Sequence, residues 1–183
     1  MSAIVIYSSK RGSTEQYAHW IAEDLGCEAV PFARIREVNL YEYDVIVYGG
    51  WIRGSGIVDF DVFKKKWLTS DLLPKLVVFG VGVANETPEN YMQVYEINYK
   101  GIAKEGGPNP TLYIVPGAYH PEKITGMDKM LMGVMKKVLI SGAKGAGATD
   151  DARELADRLE NGIDLVKREN INAVVREARK ICE

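Results

Sequence analysis

Five short apolar runs recur along the chain, and their spacing restricts the fold more than any other feature. They lie at 3–7 (AIVIY), 28–32 (EAVPF), 44–50 (DVIVYGG), 75–82 (KLVVFGVG) and 111–117 (TLYIVPG). Each is rich in Val, Ile and aromatic residues and lacks polar alternation, the pattern of strands covered on both faces. Helical patterns separate them. Tyr17, Ala18, Ile21, Ala22 and Leu25 fall at helical spacing over 14–25, and Gly26 follows as a stop signal. Val58, Val62, Phe63 and Trp67 do the same over 58–68, and Pro88 opens a third helix that runs to Lys104. Strands alternating with helices predict an α/β protein with a parallel sheet between helical layers.

The link over 32–44 is short and has room for one irregular helical turn near 33–38. Beyond Gly117 the alternation stops. A Met-rich amphipathic segment (123–140) is followed by the glycine-rich SGAKGAGA (141–148) and by helices near 150–161 and 171–182. No internal repeat or interdomain linker interrupts the 183 residues, so a single domain over 1–183 is expected. The net charge of −2 supplies no global field that would draw nucleic acid, and none is expected as a partner. Cys27 and Cys182 are too few and too far apart for a disulfide framework or a zinc site, so no metal is expected. They fit a reducing compartment. The start AIVIYSS has neither the basic head nor the long apolar core of a signal peptide. No window reaches the ~18 apolar residues of a membrane span. The expectation is a cytoplasmic protein without a transmembrane segment.

Three glycine-bearing segments offer a place for a phosphate. GAKGAGAT (142–149) has the glycine spacing of a nucleotide triphosphatase loop, but Ala148 stands where that loop needs lysine, and no strand precedes it. GVGVAN (80–85) follows a strand, yet Asn85 stands where a dinucleotide fingerprint needs its third glycine. YSSKRGSTEQYA (7–18) joins the first strand to the first helix, where helix amides face an incoming anion. Ser9, Ser13 and Thr14 add hydroxyls there, and Gly12 lets the backbone approach closely. N-capping by Ser13, assisted by Glu15 or Gln16, accounts for the same residues. The local features leave both readings open.

A wider pattern separates them. VIYSSKRGSTEQYAHWI (5–21) resembles the FMN-phosphate signature of the flavodoxins. Val5 and Ile6 precede Tyr7, and Ser9, Gly12, Thr14, Ala18 and Ile21 fill the remaining fixed positions. The resemblance implies a three-layer flavodoxin-like sandwich, with five parallel strands in order 2-1-3-4-5 and FMN outside their carboxyl ends. Lys10 and Arg11 depart from the neutral loops of typical flavodoxins, and one of them is expected to reach the phosphate. The resemblance also implies two loops around the flavin ring. The first holds Gly50, Trp51, Ile52, Arg53 and Gly54, with Trp51 as the stacking aromatic and Gly49, Gly50, Gly54 and Gly56 opening the backbone to the flavin edge. The second holds Gly82, Val83, Ala84 and Asn85 and lacks the stacking tyrosine of short flavodoxins. No triad, metal cluster or carboxylate pair suggests separate side-chain chemistry, so no catalytic residue is assigned. His19 and His120 read as surface groups.

Within that family, YGGWIRGSGIVDFDVFKKKW (48–67) is similar to the menaquinone-dependent protoporphyrinogen oxidases, through Ile52, Arg53, Phe63, Lys64 and Lys65. VPGAYHPEKITGMDKMLMGVMKK (115–137) resembles them more loosely, with their arginine and aromatic cluster reduced to Tyr119, His120 and Lys123. Met127, Met130, Met132 and Met135 read first as an apolar stripe packed on the sheet. The other reading is a soft wall for quinone or porphyrin, or peripheral contact with a membrane. The expected function is electron transfer through FMN to a redox partner protein or a quinone, as a carrier or a small oxidoreductase. A quinone reductase is the second flavin reading. A non-catalytic receiver module would need acidic residues where the chain has YSSKRG and YGGWIR.

Overall fold

The computed structural model describes residues 2–102, 109–124, 126–145 and 147–182, without the side chains of 126–128, 131, 132 and 135. The predicted residues Lys104, Met127, Met132 and Met135 fall outside that description. The chain forms two compact units. The first comprises 1–82, 86–115 and 167–183; the second comprises 83–85 and 116–166.

The first unit is built on β1 (Ala3–Ser8), β2 (Glu28–Pro31), β3 (Val45–Arg53), β5 (Leu76–Gly82) and β6 (Thr111–Pro116), in spatial order β2-β1-β3-β5-β6. β4 (Gly56–Ile57) is a short extra strand on β3, so the five main strands stand in the expected order 2-1-3-4-5. β1 pairs in parallel with β2 and β3, and β3 in parallel with β5. All six residues of β1 are buried, as the absence of alternation in AIVIY requires.

The helices follow from the same residues. α1 (Ser13–Leu25) buries Tyr17, Ala18, Ile21, Ala22 and Leu25. It ends at Gly26 in the left-handed region (φ 66°), where the Cys27 amide donates to the Ala22 carbonyl at 2.9 Å in a Schellman-type stop. α2 (Phe60–Lys66) and α3 (Pro88–Tyr99) are shorter than their sequence patterns suggest. The irregular turn near 33–38 is a 3-10 helix over Phe32–Glu37. Tyr48, Phe60, Phe63 and Tyr99 are fully buried together, with Tyr48 and Phe63 ring centroids 4.8 Å apart. Aromatic rings of this kind bury roughly 150–250 Å² each and dominate a core. α6 (Asn172–Ile181) buries Val174, Val175 and Ala178.

The second unit contains the hairpin of β7 (Ala118–Tyr119) with β8 (Ile163–Asp164), α4 (Gly126–Ala143) and α5 (Asp150–Asn161). Tyr119, Ile124 and Leu159 form its small core, with Val83, Leu155 and Ile163 packed on them. Thr149 caps α5 by accepting from the Ala152 amide at 3.2 Å.

Both cysteines are free thiols, and no group of metal-ligating side chains occurs among the described residues. Burial, with Glu28 nearby, pushes the Cys27 thiol up to about 11. Its thiolate fraction at pH 8 is therefore about a hundredfold below that of an ordinary thiol. Alkylation of Cys27 by iodoacetamide should be slower by that order, as peptide mass mapping over time would show.

Candidate functional site

β1 ends at Ser8, and α1 begins at Ser13 on the same side of the sheet. Between β1 and β3 the strand order reverses, since β2 lies on one side of β1 and β3 on the other. The carboxyl ends of strands at such a reversal form a crevice in doubly wound sheets.

The 9–12 loop is held by its own atoms. Ser9 Oγ accepts from the Gly12 amide at 3.3 Å, and the Gly12 carbonyl accepts from the Gln16 amide at 2.8 Å. Gly12 occupies the cap position with φ 95°, a conformation that favours glycine, and no atom lies within 4 Å of where a Cβ would stand. The N-capping expected of Ser13 is therefore corrected. Ser13 is the first helical residue, and the cap position belongs to Gly12, which has no side chain to offer. The reason is conformational: a cap residue usually has extended backbone, whereas here the chain turns into the helix through left-handed Gly12. The amides of a first turn have no partners inside their helix, and this end is open where a Cβ would crowd it. Thr14 is buried beneath it, Ser13 is half-buried, and Lys10 and Arg11 are exposed.

Ser8, which the sequence reading passed over, is buried and donates its hydroxyl to Asp59 at 2.7 Å. Asp59 has φ 62°, one of two non-glycine residues in the left-handed region among the described residues. Tyr48 donates to the Val58 carbonyl at 2.9 Å, and burial raises its phenol pKa. These bonds join the end of β1 and the middle of β3 to the residues that lead into α2.

The 50–54 segment is not a loop. β3 continues through Trp51, Ile52 and Arg53, turns at Gly54 and Ser55, and returns as β4, with Ile52 opposite Ile57. Gly54 (φ 53°) and Ser55 (φ 65°) supply the two positive φ angles of a type I′ hairpin turn. Ser55 carries a left-handed cost of about 1–2 kcal/mol that glycine would not. Ser55→Gly should raise stability by about 1 kcal/mol, measurable as a higher urea midpoint. The hairpin folds back onto glycines. A Cβ on Gly50 would stand 2.6 Å from Ile57 Cγ2, and one on Gly80 would stand 3.0 Å from Ile52 Cδ1. Trp51 and Ile52 are half-buried at the strand end, and Arg53 and Gly54 are exposed.

Gly82 ends β5 in the first unit, whereas Val83, Ala84 and Asn85 belong to the second. Within that unit they are anchored to α5. Asn85 donates to Asp151 at 2.9 Å and to Glu154 at 2.7 Å, and Arg158 donates to the Val83 carbonyl at 2.7 Å. The Asn85 and Arg158 bonds hold the Glu154 carboxyl below its usual range. His19 is exposed and packs its ring 5.8 Å from Tyr7.

A flavodoxin domain family matches residues 4–144, a span that contains the 9–14 loop and the whole hairpin. The chain belongs to the flavodoxin domain family. Proteins of this family bind flavin, typically FMN, and transfer electrons. No curated protein matches the sequence. Among solved structures, a flavodoxin from the domain Archaea shares 17% identity, with 88% of this chain and 100% of that one covered, at TM-score 0.41. Oxidised Flavodoxin 2 from Bacillus cereus shares 18% identity over 87% of this chain and 96% of its own, at TM-score 0.42. Rubredoxin oxygen:oxidoreductase from Desulfovibrio gigas shares 13%, over 86% of this chain and 36% of its own, at TM-score 0.37.

Proposed function

We propose that the chain binds FMN and serves as an electron carrier or small flavin oxidoreductase, with the 9–14 loop as its phosphate site. The observation that carries this reading is the start of α1 beside the end of β1, where a left-handed glycine stands at the cap position. Ser9, Ser13 and Thr14 are the hydroxyl donors of the proposed cradle, and Lys10 or Arg11 the cation over it. Gly12 keeps the approach clear, with no atom within 4 Å of its missing Cβ. These are neutral and cationic donors, the chemistry a phosphate monoester needs. When bound, FMN supplies one- and two-electron transfer. Trp51 would lie against the flavin ring, with Gly50, Ile52 and Gly54 offering backbone at its edge. Arg53 would favour negative charge on the reduced ring and raise its potential. Gly82, Val83, Ala84 and Asn85 are the proposed second wall.

The first test is a visible spectrum and a fluorescence titration after adding FMN. A colourless protein that leaves flavin fluorescence unquenched would falsify the reading. Ser9→Ala and Thr14→Ala should each weaken FMN more than riboflavin.

The partner is proposed to be a redox protein or a quinone, reached from the cytoplasm. Turnover of protoporphyrinogen with a menaquinone analogue would favour the oxidase branch, and no turnover the carrier. For the membrane side, no helix among the described residues is long and apolar enough to cross a bilayer. α4 nevertheless exposes Met130, Val134 and Val138, spaced every four residues. Beside them Lys136, Lys137 and Lys144 line an open groove of about 520 Å³. An apolar stripe edged by lysines suits an anionic lipid surface. Co-sedimentation with phosphatidylglycerol vesicles, lost in high salt and in V134D/V138D, is the expected result.

A further inference from the structure

We infer that Asn98 is a positioning residue for the hairpin that carries Trp51, Ile52 and Arg53, a role that rests on the FMN reading. Asn98 lies on α3, is buried, and uses its carboxamide as a peptide unit would be used in a third strand. Its Oδ1 accepts from the Ile57 amide at 2.8 Å, and its Nδ2 donates to the Ser55 carbonyl at 2.8 Å. Residues 55 and 57 sit two apart on β4 and its turn, so this N–H and C=O point the same way along the outer edge. A carboxamide is the side-chain group that can satisfy both at once. The second Nδ2 proton goes to the Val94 carbonyl at 2.6 Å, one turn back on α3, and locks the rotamer.

The support under Asn98 is also fixed. Its carbonyl accepts from Lys64 Nζ at 2.5 Å, and the same amine reaches the Lys100 carbonyl at 3.4 Å. The Lys64 side chain is only 8% exposed, so α2 ties down the end of α3 with a buried cation. The other side of the hairpin rests on Gly50, Gly80 and Gly82. Ile52 and Ile57 seat the hairpin on the sheet, and Asn98 sets its outer edge. With that edge released, β4 is a two-residue strand with nothing beyond it, and the Trp51 to Arg53 backbone loses its fixed height above the sheet.

The experiment measures Kd for FMN and riboflavin in the full chain, with Asn98→Leu and Asn98→Asp beside the wild type. Asn98→Leu should weaken both flavins by the same factor, about tenfold or more, because buried donors and acceptors lose their partners. An equal loss separates this ring-side effect from the phosphate loop, whose variants act on FMN alone. Hydrogen exchange in the flavin-free protein should show the Ile57 amide losing protection while the β1 amides keep theirs. Asn98→Asp supplies a pH signature. The carboxylate has no proton for the Ser55 carbonyl, whereas the protonated acid has one, so riboflavin affinity should rise as pH falls from 9 to 5. Wild-type affinities kept within twofold in Asn98→Leu, or a loss confined to FMN, would overturn the inference. A flat pH profile in Asn98→Asp at the weak affinity of Asn98→Leu would do the same. If Asn98→Leu does not fold, the pH response of Asn98→Asp decides. A wild type that binds neither flavin defeats the functional reading itself, and this inference with it.

Discussion

Gly49→Ala should cost about 3 kcal/mol or more, at the upper end of what overpacking a core does. Gly49 pairs with Phe79 across β3 and β5, and both lie in the sheet interior. A Cβ at Gly49 would stand 2.0 Å from Phe79 Cζ and 2.3 Å from Cε1, inside the ring's own volume. Phe79 is fully buried and has no open side into which to swing. The urea midpoint should fall sharply with an unchanged slope. A double-mutant cycle identifies the cause: Phe79→Ala alone opens a cavity, and adding Gly49→Ala should then cost far less than it does against the intact ring. A fully additive pair would exclude the clash.

The second large effect falls on ligand binding. Gly12→Asp should lower FMN affinity at least about a hundredfold while changing riboflavin affinity less than about threefold. The 95° φ of Gly12 strains any side chain placed there, aspartate less than most, and that cost falls on both flavins alike. The added carboxylate, however, stands where the phosphate is proposed to sit. Two like charges about 4 Å apart repel by about 4 kcal/mol at an effective dielectric near 20. Fluorescence-quenching titrations with the two flavins, at low and high salt, give the comparison. Equal losses for both would remove the phosphate from this loop.

Much of the fold was legible because burial on both faces writes itself into composition. AIVIY, DVIVYGG and KLVVFGVG could be little other than central strands, and their order came from the resemblance to flavodoxins, which the alternation with helices allows. The hairpin over 51–57 was not legible. Four glycines in GGWIRGSG read as a loop, yet Gly50 admits Ile57, and Gly54 makes the turn. A glycine that gives way to a neighbour and one that bends the chain look identical in sequence. The positive φ of Ser55 has no signature in residue type, and that of Asp59 only the mild left-handed preference of aspartate. Asn98 had a faint one, a polar residue four positions after Val94 on the buried face of α3. The turn over 9–12 is local, with Ser9 accepting from the Gly12 amide three residues on, and neighbouring residues suffice to read it. The anchoring of Asn85 was not legible, since its partner Asp151 lies 66 residues away and leaves no local pattern.

The interrupted course of the first unit bears on how the chain is made. Tyr17, on the first helix, accepts from Asn170 at 2.7 Å, and Arg168 pairs with Glu23 at 2.9 Å. Arg179 donates to the Asp24 carbonyl at 2.7 Å. α1 is thus fastened by residues made long after it, Asn170 lying 153 positions beyond Tyr17. Until those residues have been made, α1 and the sheet behind it lack the cover that Val174 and Ala178 provide. The 116–166 segment of the second unit is made before them. A message truncated before 167 would leave that surface bare, a natural mark for chaperones and proteases.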